Sequence, residues 1–258
     1  MTATASASPP ASRPVVADNP TPVSDRAWFP GRWVGGVSLI LGPLTLLAGI
    51  ALRLPFHFFF PDQLAAFATH PTRVAVAYGA VAAGTVLLWP AVATLGHLIG
   101  ATRPGWALWG TTLTTFGLFA RTFHAGVDHL AFQLVRIEGV APATQVMAAS
   151  YGAFHVFHAA TAAIMTGWLV LAVGAYKSDT LGPLRSVALA LMSALMLGVL
   201  KGSSLTSVAA TSGLCVAFVP LGVQVLRDGP TPPRRNIVAW SLLVLVLAAA
   251  SIVFGELG

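Results

Sequence analysis

The chain has 258 residues, of which 56% are hydrophobic and 9% charged, and a formal net charge of +6. Soluble domains carry about 25% charged residues, so the composition excludes an ordinary soluble globule. The basic residues are too thinly scattered between apolar runs to form a nucleic-acid-binding surface. A lone cysteine, Cys215, excludes an internal disulfide and any cysteine-based metal motif.

Residues 1–31 are rich in Ala, Ser, Thr and Pro and lack the basic start and apolar core of a signal peptide. They read as a disordered cytoplasmic tail. Residues 32–258 read as a single transmembrane domain. A spanning helix needs about 20 mostly apolar residues, and seven stretches qualify: 33–54, 73–100, 105–135, 146–176, 183–200, 204–226 and 236–256. The expected fold is therefore all-α, a polytopic integral membrane helical bundle of about seven transmembrane helices. Pro104-Gly105, Pro142, Gly182-Pro183 and "DGPTPPRR" at 228–235 mark boundaries. "KGSSL" separates the fifth and sixth stretches only weakly. Between the first two stretches lies "PFHFFFPDQLAAFATHP". There Asp62 is placed to cap a short amphipathic helix whose edge is Phe59, Phe60, Leu64 and Phe67, an interfacial anchor or a lid over a cavity.

Orientation follows the Lys and Arg count. Nine cations fall on one side (Arg13, Arg26, Arg32, Arg103, Lys177, Arg185, Arg227, Arg234, Arg235) and four on the other (Arg53, Arg73, Arg136, Lys201). This places the N-terminus in the cytoplasm and the C-terminus outside. Lys177 and Lys201 are the only lysines, and with the abundant Ala and Gly they point to a GC-rich bacterial genome and a cell-membrane location.

The third stretch holds "RTFHAGVDHLAF" at 121–132. At about 100° per residue, Arg121, His124 and Asp128 share a face that Phe132 continues, while His129 points away. The fourth holds "YGAFHVFHAATAA" at 151–163, in which Tyr151, His155 and His158 share a face. The two stretches run antiparallel across a loop expected near 137–145, so both polar sets lie at similar depth. Ionisable groups in a membrane cost at least a few kcal/mol unless paired or hydrated, and mark a functional site. Imidazoles with a carboxylate suit zinc, iron or copper, and a haem is the further cofactor of this kind. His124, Asp128, His155 and His158 form the candidate metal set, three of them sufficing for a catalytic site with an open position. Asp128, Arg121 and Tyr151 are the candidate catalytic residues, with Arg121 placed to hold an anion or orient Asp128. His57 and His70 flank the short helix on the same side, whereas His97 reads as structural.

"HAGVD" at 124–128 and "HVFH" at 155–158 resemble the zinc-site logic of the seven-helix intramembrane hydrolases related to alkaline ceramidase and the adiponectin receptors. That resemblance implies a membrane-embedded zinc hydrolase. The chain departs from the family in its last stretch, which lacks the histidine pair found there. Its size and span number are also similar to small integral-membrane terpene cyclases. Phe116, Phe119, Phe123, Phe132, Phe154 and Phe157 crowd the same region, facing lipid or lining a pocket in which they would shelter a cation. The leading expectation is a metal-dependent membrane enzyme acting on a lipid-like or apolar small molecule from the bilayer, with no nucleic-acid partner. The alternatives are a metal-free isoprenoid cyclase with Asp128 as general acid, and a non-enzymatic metal, haem or transport protein.

Overall fold

The computed structural model describes residues 28–150, 157–195, 198–228 and 234–257; from Phe157 to Ala159 and through parts of the last helix it describes the backbone alone. The described residues are helical with no strand. The elements are α1 (Arg32–Arg53), α2 (Phe60–Thr69), α3 (Pro71–Gly100), α4 (Pro104–Glu138), α5 (Val140–Ser150), α6 (Phe157–Lys177), α7 (Pro183–Ala190) with a 3-10 turn at Leu191–Ala194, α8 (Leu205–Arg227) and α9 (Arg234–Leu257). Four of them are long and apolar enough to cross a membrane: α1, α3, α6 over Ala160–Lys177, and α8. Helix α4 has 35 residues, about 52 Å at 1.5 Å per residue, long enough to cross a membrane but less apolar than these four.

The helices form a ring. Helix α1 packs on α3 and α8, α3 on α4, α4 on α6, α6 on α7, and α7 back on α8. Among the described residues α9 packs against no other element. Leu39, Leu46, Leu88, Leu95, Trp168 and Phe218 fill the ring. Lipid is as apolar as leucine, so contact between spanning helices relies on close backbone approach at small residues. The α1–α3 pair shows it: a Cβ on Gly84 would lie 2.7 Å from the Leu46 nitrogen, and one on Gly49 would lie 2.6 Å from the Ala77 carbonyl oxygen.

Cations sit at both ends of the ring. Arg103 donates to the Lys177 carbonyl at 3.1 Å at one end, and Arg73 to the Leu52 carbonyl at 3.2 Å at the other. Helix α2 lies across the second end. Its inner face, Gln63, Leu64 and Phe67, is buried against Phe132, Val135, Met147 and Leu200. The apolar edge expected at a bilayer surface is thus turned largely onto the protein, and α2 is a lid. Asp62 does not cap it: Phe59 is the N-cap residue, Pro61 opens the helix, and Asp62 pairs with His57 at 2.8 Å. Both side chains are more than half exposed (67% and 54%). Because exposed ion pairs contribute little, His57→Ala is expected to shift stability by no more than about 0.5 kcal/mol in a thermal melt.

Two stretches fold differently from expectation. Residues 137–145, expected as a loop, are helical except at Gly139, whose φ of +87° reverses the chain between α4 and α5 in one residue. Glycine reaches that conformation without a Cβ penalty. The fifth span, expected over 183–200, is helical only to Ala194, and Gly198–Ser204 is non-helical. Helix α8 then starts with a reciprocal cap, in which Ser204 Oγ accepts from the Ser207 amide and Ser207 Oγ accepts from the Ser204 amide. Such a cap satisfies amides that a helix start leaves open. The expected tail falls largely in residues 1–27, outside the described residues; next to them Trp28 stacks on His97 at 4.3 Å, which leaves that histidine a packing role.

Candidate functional site

A helix that ends early inside a bundle frees backbone amides and carbonyls that must find partners. The segment after Ala194 does this at the centre of the ring, beneath the lid. The Leu200 amide donates to Asp128 Oδ1 at 2.6 Å. Leu200 has a φ of +50°, a conformation that costs a non-glycine residue on the order of 1 kcal/mol or more and is held by contacts on both sides. The Lys201 carbonyl accepts from Arg53 Nη1 at 3.0 Å and from the Tyr78 hydroxyl at 3.4 Å. The Gly202 amide donates to the Phe58 carbonyl at 2.9 Å, tying the segment to the lid. From the lid, Gln63 accepts from the Tyr78 hydroxyl at 3.0 Å and donates to the His57 carbonyl. The Arg53 guanidinium lies over the Tyr78 ring, 4.4 Å from its centroid, a cation–π contact that offsets part of its desolvation.

These groups surround a cavity of about 60 Å³ lined by Arg53, Tyr78, Thr85, Arg121, His124, Asp128, Lys201 and Ser207, among others. Arg53, His124 and Asp128 are each only 8% exposed. The cavity shares Tyr78, Ala82 and Ala125 with a groove of about 510 Å³ between α3 and α4, whose walls include Phe67, Phe132, His129, Gln133 and Arg136. That volume is within the roughly 300–1,000 Å³ of ligand pockets.

The structure brings Arg121, His124 and Asp128 together on one wall, as the helical arithmetic requires, and leaves His129 exposed on another face, at the groove. Arg121 does not orient Asp128. Its Nη2 reaches only toward the Leu195 carbonyl at 3.5 Å, and among the described residues no arginine or lysine nitrogen lies within 4.0 Å of the Asp128 carboxylate. Tyr151 and His155 lie outside the described residues, as does the side chain of His158. Among the described residues no three His, Cys, Asp or Glu side chains converge as a metal site. His57 and His70 are exposed and do not enter the cavity. Phe116, Phe119 and Phe123 point outward, whereas Phe132 lines the groove and stacks on Phe67 at 4.6 Å; Phe154 and the Phe157 side chain lie outside the described residues.

No protein-family model, no curated protein and no solved structure matches the chain.

Sequence reasoning missed Arg53, Lys201, Tyr78 and Gln63. The two cations were assigned to orientation, because a cation at the end of a span ordinarily reaches for the interface. Gln63 did leave a signal: it lies beside Leu64 and four residues before Phe67, a polar residue on the apolar face of α2.

Proposed function

We propose that the chain is a multi-pass cell-membrane enzyme that exchanges a proton, through Asp128, with the polar end of an elongated apolar substrate lying in the α3–α4 groove. The observation that carries this reading is the shared wall of Tyr78, Ala82 and Ala125. The same three residues border both the cavity that holds a buried carboxyl and a hydrocarbon-sized groove. General acid–base catalysis requires such a carboxyl within reach of the reacting group. After giving up its proton, Asp128 keeps the Leu200 N–H as a hydrogen-bond donor to its charge. The broader topology belongs to the same proposal: seven spans, the N-terminus in the cytoplasm, and the lid end outside.

Arginine chemistry sets the metal reading behind this one. Arg53 and Arg121 line the cavity beside Asp128, the one carboxylate among its described lining residues, an electrostatic setting that opposes a divalent cation. The protein in lipid nanodiscs, incubated with a total membrane lipid extract, is expected to convert one lipid class, as read by mass spectrometry, and to do so equally after chelation by EDTA. Loss of conversion on chelation, restored by zinc, would transfer the chemistry to a metal on His124, Asp128, His155 and His158. Identical lipid profiles for wild type and Asp128→Asn would overturn the enzyme reading. A carrier is the second reading, favoured by one observation: an interrupted helix lining a buried polar cavity is the architecture of many transporter sites. Saturable lipid binding without conversion would select it.

A further inference from the structure

We infer that the polar cavity is an oxyanion site, formed by Arg53 and Arg121, that receives the carboxylate or phosphate end of the amphiphile whose chain lies in the groove. This rests on the substrate placement proposed above and names the substrate's class.

Three observations support it. First, the cavity wall carries two arginines, Arg53 and Arg121, and, among the described residues, one carboxylate, Asp128, whose Oδ1 is engaged by the Leu200 amide. Buried cations in a membrane protein are costly without a counter-charge. Second, the arginines are under-used. Arg53 donates to the Lys201 carbonyl and Arg121 makes one long contact to the Leu195 carbonyl, while the buried Nε of each has no acceptor among the described residues. A guanidinium offers more N–H donors than these carbonyls take up, and its planar fork matches the oxygens of a carboxylate or phosphate. Third, the size fits. A cavity of about 60 Å³ admits small polar groups, enough for an oxyanion terminus. The groove that shares Tyr78, Ala82 and Ala125 with the cavity has Phe67 and Phe132 in its wall, against which the attached chain would lie.

The test uses the full-length protein in phosphatidylcholine nanodiscs and four probes: palmitate, hexadecyl phosphate, hexadecanol and inorganic phosphate. Palmitate or hexadecyl phosphate is expected to bind at least tenfold more tightly than hexadecanol, which has the same chain without the charge. Arg121→Gln and Arg53→Gln are each expected to weaken binding tenfold or more, with Arg121→Lys keeping part of it, and Lys177→Gln at the opposite end leaving it unchanged. A thermal melt in the same nanodiscs verifies that each variant is folded; where a glutamine variant is not, Arg121→Lys carries the comparison. Equal affinity for hexadecanol and palmitate would overturn the oxyanion site. Inorganic phosphate binding as tightly as hexadecyl phosphate would uphold the oxyanion site and remove the apolar chain from the groove. Asp128→Asn is expected to bind the charged probes, so binding without turnover in the wild type would sink the enzyme reading and leave this one standing.

Discussion

Asp128→Ala is expected to lower the melting temperature of the purified protein and abolish turnover, whereas Asp128→Asn keeps the fold and loses turnover alone. The alanine variant strands the Leu200 amide, which donates to Oδ1 at 2.6 Å. A hydrogen bond to a charged group contributes about 1.5–3 kcal/mol, and a buried donor left without an acceptor adds its desolvation cost. The stranded amide also belongs to a residue at a φ of +50°, so relaxation of the segment toward an unstrained backbone would carry Lys201 away from Arg53 and Tyr78. Asparagine retains an oxygen to accept from Leu200 but neither gives nor takes a proton near neutral pH. Turnover is then expected to fall by roughly a hundredfold or more, the range assigned to general acid–base groups. Paired melting curves and product formation measure both effects. Full turnover in Asp128→Asn would remove Asp128 from the chemistry.

Gly84→Leu is expected to be strongly destabilising through the contact between α1 and α3. Overpacking ordinarily costs about 1–3 kcal/mol because neighbouring side chains turn aside. Here the obstacle is main chain: the nearest atoms to a Cβ on Gly84 are the Leu46 nitrogen at 2.7 Å and Cα at 2.9 Å. Helix α1 would have to move as a body, away from α3 and with it from α8. A loss of about 3 kcal/mol or more is expected, seen as aggregation or a collapsed melting curve in detergent. Gly126→Leu is the control, since nothing lies within 4 Å of a Cβ there. Similar losses for both would indicate a cost intrinsic to replacing glycine in these helices rather than to contact between α1 and α3.

Half of the cavity was legible in the amino-acid order and half was not, for a physical reason. Arg121, His124 and Asp128 occur within one apolar stretch at helical spacing, so periodicity alone puts them on one wall and turns His129 away. The lengths of the apolar stretches give α1, α3, α4, α8 and α9 to within a few residues. The opposite wall is made of main-chain groups, the Leu200 amide and the Lys201 carbonyl, and main-chain groups have no residue type to read. "LMSALMLGVL" at 191–200 is as apolar as any span, and nothing in it announces that the helix stops at Ala194. Arg53 was hidden differently. At the last residue of α1 it carries the signature of an interfacial anchor, and only the arrival of the Lys201 carbonyl and the Tyr78 ring shows it facing inward.

The two bonds that close the cavity join residues far apart in the order of synthesis: Asp128 and Leu200 are separated by 72 positions, Arg53 and Lys201 by 148. A ribosome delivers α1, α3 and α4 to the membrane long before the segment that engages them. Throughout that interval Arg53, Tyr78 and Asp128 sit in a half-built bundle without the carbonyl and amide that later receive them. Water or an insertion chaperone must attend them until residues 195–204 arrive. The late segment thus acts as a keystone in biogenesis. A nascent chain that stops before residue 195 lacks the partners that Asp128 and Arg53 have in the finished fold.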